Sequence, residues 1–160
     1  MRYTPYGVYL YVPCKRKIMS DIYSSSKRNN IMSGIKYRNT NIEVKFRKRL
    51  WSKGIRYRVN VQKMYGKPDL VLKKYRTVIF IHGCFWHGHT CKKGKLPKTR
   101  TEFWREKERN NANRDSEVSS FYEQKGWQVI TIWGCEIINA SVLSEAIQKV
   151  VCLLENQIEE

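Results

Sequence analysis

The sequence has few acidic residues and lacks a long apolar run. Its 160 residues include only 14 Asp and Glu against 31 Lys and Arg, so the formal net charge is +17. No stretch approaches the roughly 20 apolar residues of a membrane-spanning helix. Hydrophobic residues nevertheless make up 41% of the chain, which is enough for a packed core and excludes wholesale disorder. At this length one domain is expected.

The N-terminal region lacks the features of a secretory signal. Arg2 is a lone charge, and the apolar residues of 7–12 are too few for the hydrophobic part of such a signal. We therefore expect a soluble protein of the cytoplasm. Residues 1–23 are expected to form a poorly ordered extension, with Met19 as an alternative start, and residues 24–157 to form a single domain.

The basic residues are concentrated in the first two thirds of the chain. Residues 1–114 contain 29 Lys and Arg against 6 Asp and Glu, whereas residues 115–160 contain 2 against 8. A strong positive field on a small protein favours binding to a phosphate backbone through the release of counterions. The aromatic residues among the basic ones favour the same partner, nucleic acid. The alternatives are a basic surface that serves only solubility and a basic protein of the ribosomal kind.

Hydrophobic periodicity predicts three helices and four strands in the order α-β-β-β-α-β-α. The predicted helices are 40–53, 101–124 and one that Ser141 caps, and the predicted strands are 56–61, 69–72, 77–82 and 127–133. Capping boxes formed by Thr40 with Glu43 and by Thr99 with Glu102 support the first two helices. This order predicts an α/β fold with a mixed sheet and helices packed against it.

Cysteine and histidine residues cluster after the third predicted strand. Their spacing suits a structural zinc site of three cysteines and one histidine, provided that the third and fourth strands are neighbours. The four candidate ligands are Cys84, His89, Cys91 and Cys135. The alternatives are scattered thiols, a Cys84–Cys91 disulfide, and a site in which His82 or His87 is a ligand.

Asp69 is the only acidic residue between Glu43 and Glu102, and it follows Pro68 directly. A carboxylate in basic surroundings is a natural Mg²⁺ ligand, and a Pro-Asp pair before a strand resembles the restriction-endonuclease-type nuclease core. In that core the next strand usually carries a carboxylate and a lysine, and the end of the next strand here contains neither. Asp69 is therefore either a metal ligand or a turn residue.

All three histidines of the chain lie within residues 82–89, a concentration that argues against three independent structural roles. His82 and His87 are candidates for proton transfer at a phosphate, because imidazole titrates near neutral pH. Phe85, Trp86 and Trp104 have basic neighbours and are candidates for wedges between base pairs. The alternatives are buried structural histidines and aromatic side chains that cover the sheet.

Several segments within residues 26–140, in uninterrupted order, closely resemble the very short patch repair endonucleases. They are 32–35 (MSGI), 66–70 (GKPDL), 78–89 (VIFIHGCFWHGH), Cys91, 97–104 (PKTRTEFW) and 133–135 (WGC). The resemblance implies a restriction-endonuclease-like α/β core, with a mixed central sheet flanked by helices and a structural zinc site. It also implies a strand-specific DNA endonuclease that nicks on the 5′ side of the thymine in a T:G mismatch, which arises when 5-methylcytosine deaminates.

The same resemblance implies cofactors and partners. Catalytic Mg²⁺ ions, expected to be two, would assist hydrolysis of the phosphodiester, and one structural Zn²⁺ would hold the loop. The substrate would be double-stranded DNA with a T:G mismatch, cut at the nucleoid of a prokaryote. A cytosine-5 DNA methyltransferase would be a functional associate. A monomer is expected, because a lone T:G pair is asymmetric.

Residue roles follow from the resemblance position by position. The implied catalytic residues are Asp69, His87, His82 and Glu43, with His87 as the general base. Asp69 and the main-chain oxygen of Ile81 would bind Mg²⁺. The implied zinc ligands are Cys84, His89, Cys91 and Cys135. The implied intercalating residues are Phe85, Trp86 and Trp104, with Met32 pressing from the other groove.

Two alternative functions and one departure from the family stand beside this interpretation. The chain would be a zinc-stabilised DNA-binding module without catalysis if Asp69 were only a turn residue. It would be a nuclease of the same core with another DNA target if the mismatch were not read. Gly134 occupies the position where the family commonly has a glutamate before the last zinc cysteine.

Overall fold

The computed structural model describes residues 24, 26–27, 30, 33–34 and 39–157. The chain divides into two units, residues 1–34 and 35–160. In the first unit, Ser33 Oγ donates a hydrogen bond to the Asn30 carbonyl oxygen at 3.0 Å. The extension predicted for residues 1–23 and the position of Met32 lie outside the described residues. A single domain over residues 24–157 stays a prediction.

The described part of the second unit contains three α-helices and four strands. In chain order they are α1 (Asn41–Ser52), β1 (Arg58–Val59), β2 (Leu70–Leu72), β3 (Thr77–His82), α2 (Thr101–Gln124), β4 (Gln128–Trp133) and α3 (Ala140–Asn156). The strands form one sheet in the order β1-β2-β3-β4, antiparallel except for the parallel pair β3-β4. The predicted element order and the mixed sheet are thus confirmed. Among the described residues, no helix combines the length and the apolar composition that crossing a membrane requires.

Helix α1 begins where the sequence predicts, because its first turn is capped. Thr40 Oγ1 accepts a hydrogen bond from the Glu43 N–H at 3.4 Å, and the Glu43 carboxylate accepts one from the Asn39 N–H at 2.9 Å. Phe46 and Leu50 lie one turn apart and are fully buried. The cap fixes the start of the helix, and the apolar stripe fixes the face that packs on the sheet.

The two faces of the sheet are covered by different helices. Leu70, Leu72 and Ile79 pack in one cluster with residues of α1 and α3. Val71 and Val78 pack in a second cluster with residues of α2. The alternation follows from the period of two in an extended strand. The strands β2 and β3 are therefore buried from both sides, as the central strands of a sheet are.

The parallel pair of strands brings two distant segments of the chain together. Residues from Thr77 to His82 in β3 lie opposite residues from Gln128 to Trp133 in β4. Helix α2 forms the crossover that a parallel pair requires. Both strands end at the same edge of the sheet, so the loop after β3 starts beside the turn after β4. The third and fourth strands are therefore neighbours, which is the condition for Cys135 to lie near the other candidate ligands.

The first predicted strand is much shorter than 56–61. Only Arg58 and Val59 pair with β2, and Val59 is exposed. Asn60 has a φ of +48°, which ends the extended backbone. Tyr57 and Val61 consequently pack in the two different clusters, so residues 56–61 do not form one continuous strand as predicted.

Two of the predicted helix caps are also wrong. Arg100 precedes α2 with a φ of +54°, and no side chain caps the first turn, so Thr99 and Glu102 do not form a capping box. Helix α3 is capped by Asn139, whose side-chain oxygen accepts a backbone N–H of the first turn at 3.0 Å. Ser141 and Asn139 are both good capping residues, and Asn139 is the one with the extended backbone that an N-cap needs.

Candidate active site and metal centre

A cavity of about 260 Å³ opens at the edge of the sheet where β3 ends. The turn before β2, the end of β3, the loop that follows it and helix α2 all contribute to its walls. The charged and titratable residues that line it are Asp69, His82, His87, Arg114 and Asp115. Three of these, Asp69, His82 and His87, are candidates from the sequence, and the fold brings them to one place.

The carboxylate of Asp69 is fixed by the main chain of β3. Its Oδ2 accepts a hydrogen bond from the Ile81 N–H at 2.7 Å. Burial raises the pKa of Asp69 to about 6, the hydrogen bond from Ile81 opposes this, and the negative charge of Glu43 raises it further. Two neighbouring half-buried carboxylates are stabilised by a divalent cation and supply the oxygen donors that Mg²⁺ requires. The donor chemistry at this position therefore fits such an ion.

His82 and His87 stack on each other and face the same carboxylate. Their ring centroids are 3.8 Å apart, with an angle of 7° between the planes. Asp115 Oδ2 lies 2.5 Å from His87 Nδ1 and 3.8 Å from His82 Nδ1. A carboxylate at Nδ1 favours the tautomer of His87 that carries its proton there. Nε2 of His87 is then free to accept a proton.

The surroundings of His82 favour its neutral imidazole form. Burial lowers the pKa of His82 to about 4, and the charges of His87 and Arg114 lower it further, against the opposite effect of Asp115. A neutral imidazole can donate or accept a hydrogen bond at a phosphate without adding charge. The ligand atoms of His82, His87 and Asp115 lie within 4.8 Å of one another, so this group also has the geometry to hold an ion.

Asp115 is the residue of this site that the sequence reasoning missed. It lies on a face of α2 whose members recur every three or four residues. That face is formed by Trp104, Glu108, Asn111, Asp115, Val118 and Tyr122. Val118 and Tyr122 are buried in the core, so the same face one turn earlier must also point inward. An acidic residue at an inward-facing helical position was the signal that could have identified Asp115.

The loop after β3 is attached to this face of α2. Asn111 Nδ2 donates a hydrogen bond to the Trp86 carbonyl oxygen at 2.6 Å. Gly88 has a φ of +63°, and a Cβ at this position would lie 1.8 Å from Glu108 Oε1. Only glycine combines that backbone conformation with so close an approach to the helix. The two contacts hold His87, which lies between them in the loop, against its carboxylate partner.

The four predicted zinc ligands come together at the ends of β3 and β4. They are Cys84, His89, Cys91 and Cys135, and their ligand atoms all lie within 4.8 Å of one another. A tetrahedral ion with Zn–S bonds of about 2.3 Å separates its sulfur ligands by about 3.8 Å. The distance from Cys135 Sγ to His89 Nδ1 is 3.5 Å. The Cys84 and Cys91 thiols are free, so the alternative of a disulfide between them is wrong, and neither His82 nor His87 belongs to the group.

The charge balance of this cluster also fits a divalent cation. Burial, together with Cys84 and Cys91, raises the pKa of the Cys135 thiol to about 12. The hydrogen bond with His89 lowers the pKa of the Cys91 thiol to about 6. One thiolate therefore forms readily and discourages the next, unless a cation offsets the accumulated negative charge. Three thiols and one imidazole are the donor set of a structural zinc site.

The turn that carries Cys135 has a glycine, Gly134, directly before the cysteine. Gly134 lies beside the cluster, since a Cβ on it would be 3.8 Å from Cys84 Sγ. The neighbouring Glu136 carboxylate accepts a hydrogen bond from the Trp133 N–H at 2.7 Å. This bond closes the turn Gly134–Ile137, so Glu136 stabilises the segment in which Cys135 lies.

Phe85, Trp86 and Trp104 form an aromatic cluster. The ring centroids of Phe85 lie 5.1 Å from those of both tryptophans, and the tryptophan centroids are 6.0 Å apart. Trp86 is 38% exposed. None of the three belongs to either core cluster of the described residues, so the alternative in which they cover the sheet is not supported there. Met32, the fourth predicted intercalating residue, lies outside the described part of the chain.

Comparison with known proteins gives the family. The family model described as DNA mismatch endonuclease Vsr matches residues 20–93. The chain is 46% identical over 133 residues to the Type II nicking enzyme V.NmeAIP of Neisseria meningitidis serogroup A, which covers 83% of this chain and 95% of that protein. It is 38% identical over 139 residues to the DNA mismatch endonuclease Vsr of Escherichia coli, which covers 84% and 89%.

A third relative extends the same picture. The chain is 35% identical over 133 residues to the Type II nicking enzyme V.XorIIP of Xanthomonas oryzae, which covers 83% of this chain and 98% of that protein. In all three cases the similarity runs over more than four fifths of the chain. The chain therefore belongs to the Vsr family of DNA endonucleases.

Proposed function

We propose that this endonuclease nicks one strand of duplex DNA on the 5′ side of the thymine in a T:G mismatch. The proposal rests on the convergence of Asp69, His82, His87 and Asp115 on one cavity in a chain of this family. The printed name of the Escherichia coli relative, a mismatch endonuclease, supports a mismatch as the target. The names of the other two relatives, nicking enzymes, support cleavage of a single strand.

His87 is the proposed general base. Its Nε2 takes a proton from the attacking water, and the hydrogen bond from Nδ1 to Asp115 stabilises the imidazolium that results. The water oxygen forms a bond to phosphorus while the bond from phosphorus to the 3′ oxygen breaks, and that oxygen takes up a proton. One water is consumed, and the products are a 5′-phosphate on the thymine and a 3′-hydroxyl on the nucleotide before it.

Asp69 is the proposed ligand for catalytic Mg²⁺, together with the main-chain oxygen of Ile81. Divalent ions, two in the full proposal, supply water activation and stabilisation of the leaving 3′ oxygen when bound. The Ile81 N–H holds one carboxylate oxygen of Asp69 in place. Glu43 contributes negative charge from α1, which supports cation binding. The neutral His82 assists at the phosphate as a hydrogen-bond partner.

Cys84, His89, Cys91 and Cys135 are the proposed ligands of one structural Zn²⁺. The ion has no part in the chemistry in this proposal. Cys84 and His89 lie on either side of His87 in the loop after β3, so their common attachment would stiffen the segment that carries the base. Removal of the metal is therefore expected to weaken mismatch recognition and hydrolysis together.

Phe85, Trp86 and Trp104 are proposed to enter the base stack beside the mismatch, with Met32 pressing from the other groove. Unstacking one step costs on the order of a few kcal/mol, and the cost is lowest next to a mispaired base. The partial exposure of Trp86 outside the core is consistent with this role. An asymmetric T:G pair fits a monomer. A cytosine-5 DNA methyltransferase is the proposed functional associate, because deamination of its product creates the mismatch.

A labelled duplex with one T:G pair tests the proposal against a matched T:A duplex, with Mg²⁺ present. We expect the wild-type protein to make one nick, 5′ of the mispaired thymine, and Asp69→Ala to bind without nicking. Equal cutting of the T:A duplex would assign another DNA target. Binding without nicking by both proteins would leave a DNA-binding module and overturn the proposal. Circular dichroism of both proteins shows whether Asp69→Ala is folded.

A further inference from the structure

The cavity is lined by one permanently charged basic side chain that has no role in the proposed reaction. Among the residues that line it, Arg114 is the only lysine or arginine. It lies on α2 directly before Asp115, and its side chain is exposed. Within the described part of the chain Arg114 makes no ion pair, although Asp69 and Asp115 line the same cavity.

The exposed guanidinium of Arg114 is accessible to a ligand that enters the cavity. Arg105, on the same helix, pairs with Glu102 at 3.1 Å, so a neighbouring carboxylate can capture an arginine of α2. Arg114 is not captured in this way, although it lines the same cavity as His82 and His87. The guanidinium therefore lies at the wall of the cavity that contains both histidines, and no ion pair among the described residues occupies its donors.

The chemistry of the substrate supplies such a ligand. A phosphodiester that reaches Asp69 and His87 brings a negative charge into a cavity that already contains carboxylates. Further negative charge builds up on the phosphoryl oxygens as water attacks. A guanidinium is always charged, and its planar set of N–H donors matches two oxygens of a phosphate.

We propose that Arg114 binds the non-bridging oxygens of the scissile phosphate and is a further catalytic residue of this endonuclease. The inference deepens the proposed function and rests on it. The position of Arg114 on α2, next to Asp115, is consistent with this role. Asp115 faces inward and orients the general base. The preceding residue, Arg114, lies at the cavity wall, where it would contact the phosphate. One segment of α2 would thus align the base and stabilise the charge that the base creates.

The first experiment separates chemistry from binding. Arg114→Gln and Arg114→Lys are compared with wild type in single-turnover nicking of the T:G duplex at saturating enzyme. We expect Arg114→Gln to lower the nicking rate by about 10²-fold, the usual effect of removing one donor that stabilises transition-state charge. Affinity should fall only by the small factor that one phosphate contact contributes. Arg114→Lys should recover part of the rate, because it restores the charge without the planar donors.

Arg109→Gln is the matched control. Arg109 is also an exposed arginine of α2, but it lies five residues earlier, about 140° around the helix, and does not line the cavity. Its substitution removes the same unit of charge. A loss of nicking rate in Arg109→Gln as large as that in Arg114→Gln would overturn the proposal, because general electrostatics would then explain both.

A second experiment tests the contact itself. One neutral methylphosphonate replaces the scissile phosphodiester, and binding is measured without divalent metal. The wild-type protein should bind the methylphosphonate duplex more weakly than the natural duplex. Arg114→Gln should bind the two duplexes with similar affinity, because its contact with the phosphate is already gone. Additive losses would overturn the proposal.

The variant Asp69→Ala separates a failure of the proposed function from a failure of the proposed role of Arg114. If Asp69→Ala nicked at the wild-type rate, the proposed function would fail. If Asp69→Ala were inactive while Arg114→Gln nicked normally, only the role of Arg114 would fail.

Discussion

The reactive side chains of this site are each held by a second group. His87 is fixed by Asp115 at 2.5 Å, and Asp69 is fixed by the Ile81 N–H at 2.7 Å. The second group sets the protonation state and direction of the first, which is a large part of what a preformed site contributes to rate. Substitutions of the second group that keep its shape are therefore informative, since they alter the chemistry without altering the packing.

Asp115→Asn is predicted to reduce nicking with little effect on binding. The amide has nearly the same shape, but it lacks the negative charge that stabilises a protonated His87. We expect the single-turnover rate on the T:G duplex to fall by about 10⁴-fold, by analogy with loss of the carboxylate behind other catalytic histidines. The measurement is the nicking rate at saturating enzyme, together with the dissociation constant for the same duplex.

Glu117→Gln is the control for this prediction. Glu117 is an exposed carboxylate of α2 only two residues away, so the change in net charge is identical while the site is untouched. It should nick at the wild-type rate. An Asp115→Asn protein that matched Glu117→Gln in rate would show that the short contact with His87 does not matter for hydrolysis.

The limits of prediction from sequence follow from which interactions are local. Asp69, His82 and His87 were identified because they stand out by residue type, next to strand ends or in one short run. Asp115 is just as close to the reaction, but it lies 28 residues from His87 in the chain. Its partner becomes apparent only when the face of α2 is matched to the loop after β3. Arg114 could not be identified from the sequence either, because its proposed role depends on its position in the wall of a cavity that distant segments form.

Regular elements with strong local signals were predicted well. Helix α1 has both a capping residue and an apolar stripe, and β3 is a continuous apolar run, so their bounds agree with the sequence. The failures lie where a backbone turn decides the outcome. Asn60 and Arg100 adopt positive φ values of 48° and 54°. Residues other than glycine take that conformation when tertiary contacts require it, and periodicity contains no information about those contacts.

The loop after β3 is predicted to lose its order when the metal cluster is broken. Cys84 is buried, and Cys84→Ser removes one ligand from a loop that contains no α-helix or strand. We expect the protein to bind no zinc after purification and to lose about 3 kcal/mol or more of unfolding free energy. Elemental analysis and urea denaturation measure the two effects.

Cys152→Ser is the matched thiol substitution for this test. Cys152 is an exposed free cysteine on α3, remote in sequence from the four clustered ligands. It should keep one zinc per chain and wild-type stability. Retention of stoichiometric zinc by Cys84→Ser would contradict the assignment of the four ligands.

The turn before β2 is predicted to be sensitive to a single methyl group. Gly66 and Gly54 both have positive φ, at +67° and +82°, but a Cβ on Gly66 would lie 2.6 Å from Val118 Cγ1, whereas a Cβ on Gly54 would meet nothing within 4 Å. Alanine at either position costs about 1 kcal/mol of backbone strain. Only Gly66→Ala adds the cost of overpacking a core residue, about 1–3 kcal/mol.

Urea denaturation of the two alanine variants separates these contributions. Gly54→Ala reports the backbone strain alone, so the difference between the variants reports the contact of the turn with α2. Equal losses of unfolding free energy would mean that the turn and the helix move apart without cost. In that case the close packing beside Asp69 would not be a constraint on the site.

The whole molecule combines a positive field with a few carboxylates concentrated at the reaction site. The net charge is +17, yet Asp69 and Asp115 line the same cavity, and Glu43 is close enough to raise the pKa of Asp69. The field draws the phosphate backbone in, and the carboxylates supply sites for cations and proton transfer. Binding and chemistry therefore depend on different charges, which respond differently to salt.

This separation predicts that salt weakens binding far more than hydrolysis. If 6 to 10 phosphates are contacted, affinity for a duplex should fall by about 10³–10⁵ between about 50 and 200 mM salt. The slope of log affinity against log salt concentration should be the same for T:G and T:A duplexes, because the proposed aromatic wedges are uncharged. The nicking rate of the bound T:G complex should change little, since the partly buried charges of the site are screened much less than exposed ones. Fluorescence anisotropy and single-turnover nicking measure the two quantities, and an affinity that changed less than about tenfold would contradict a backbone-driven interface.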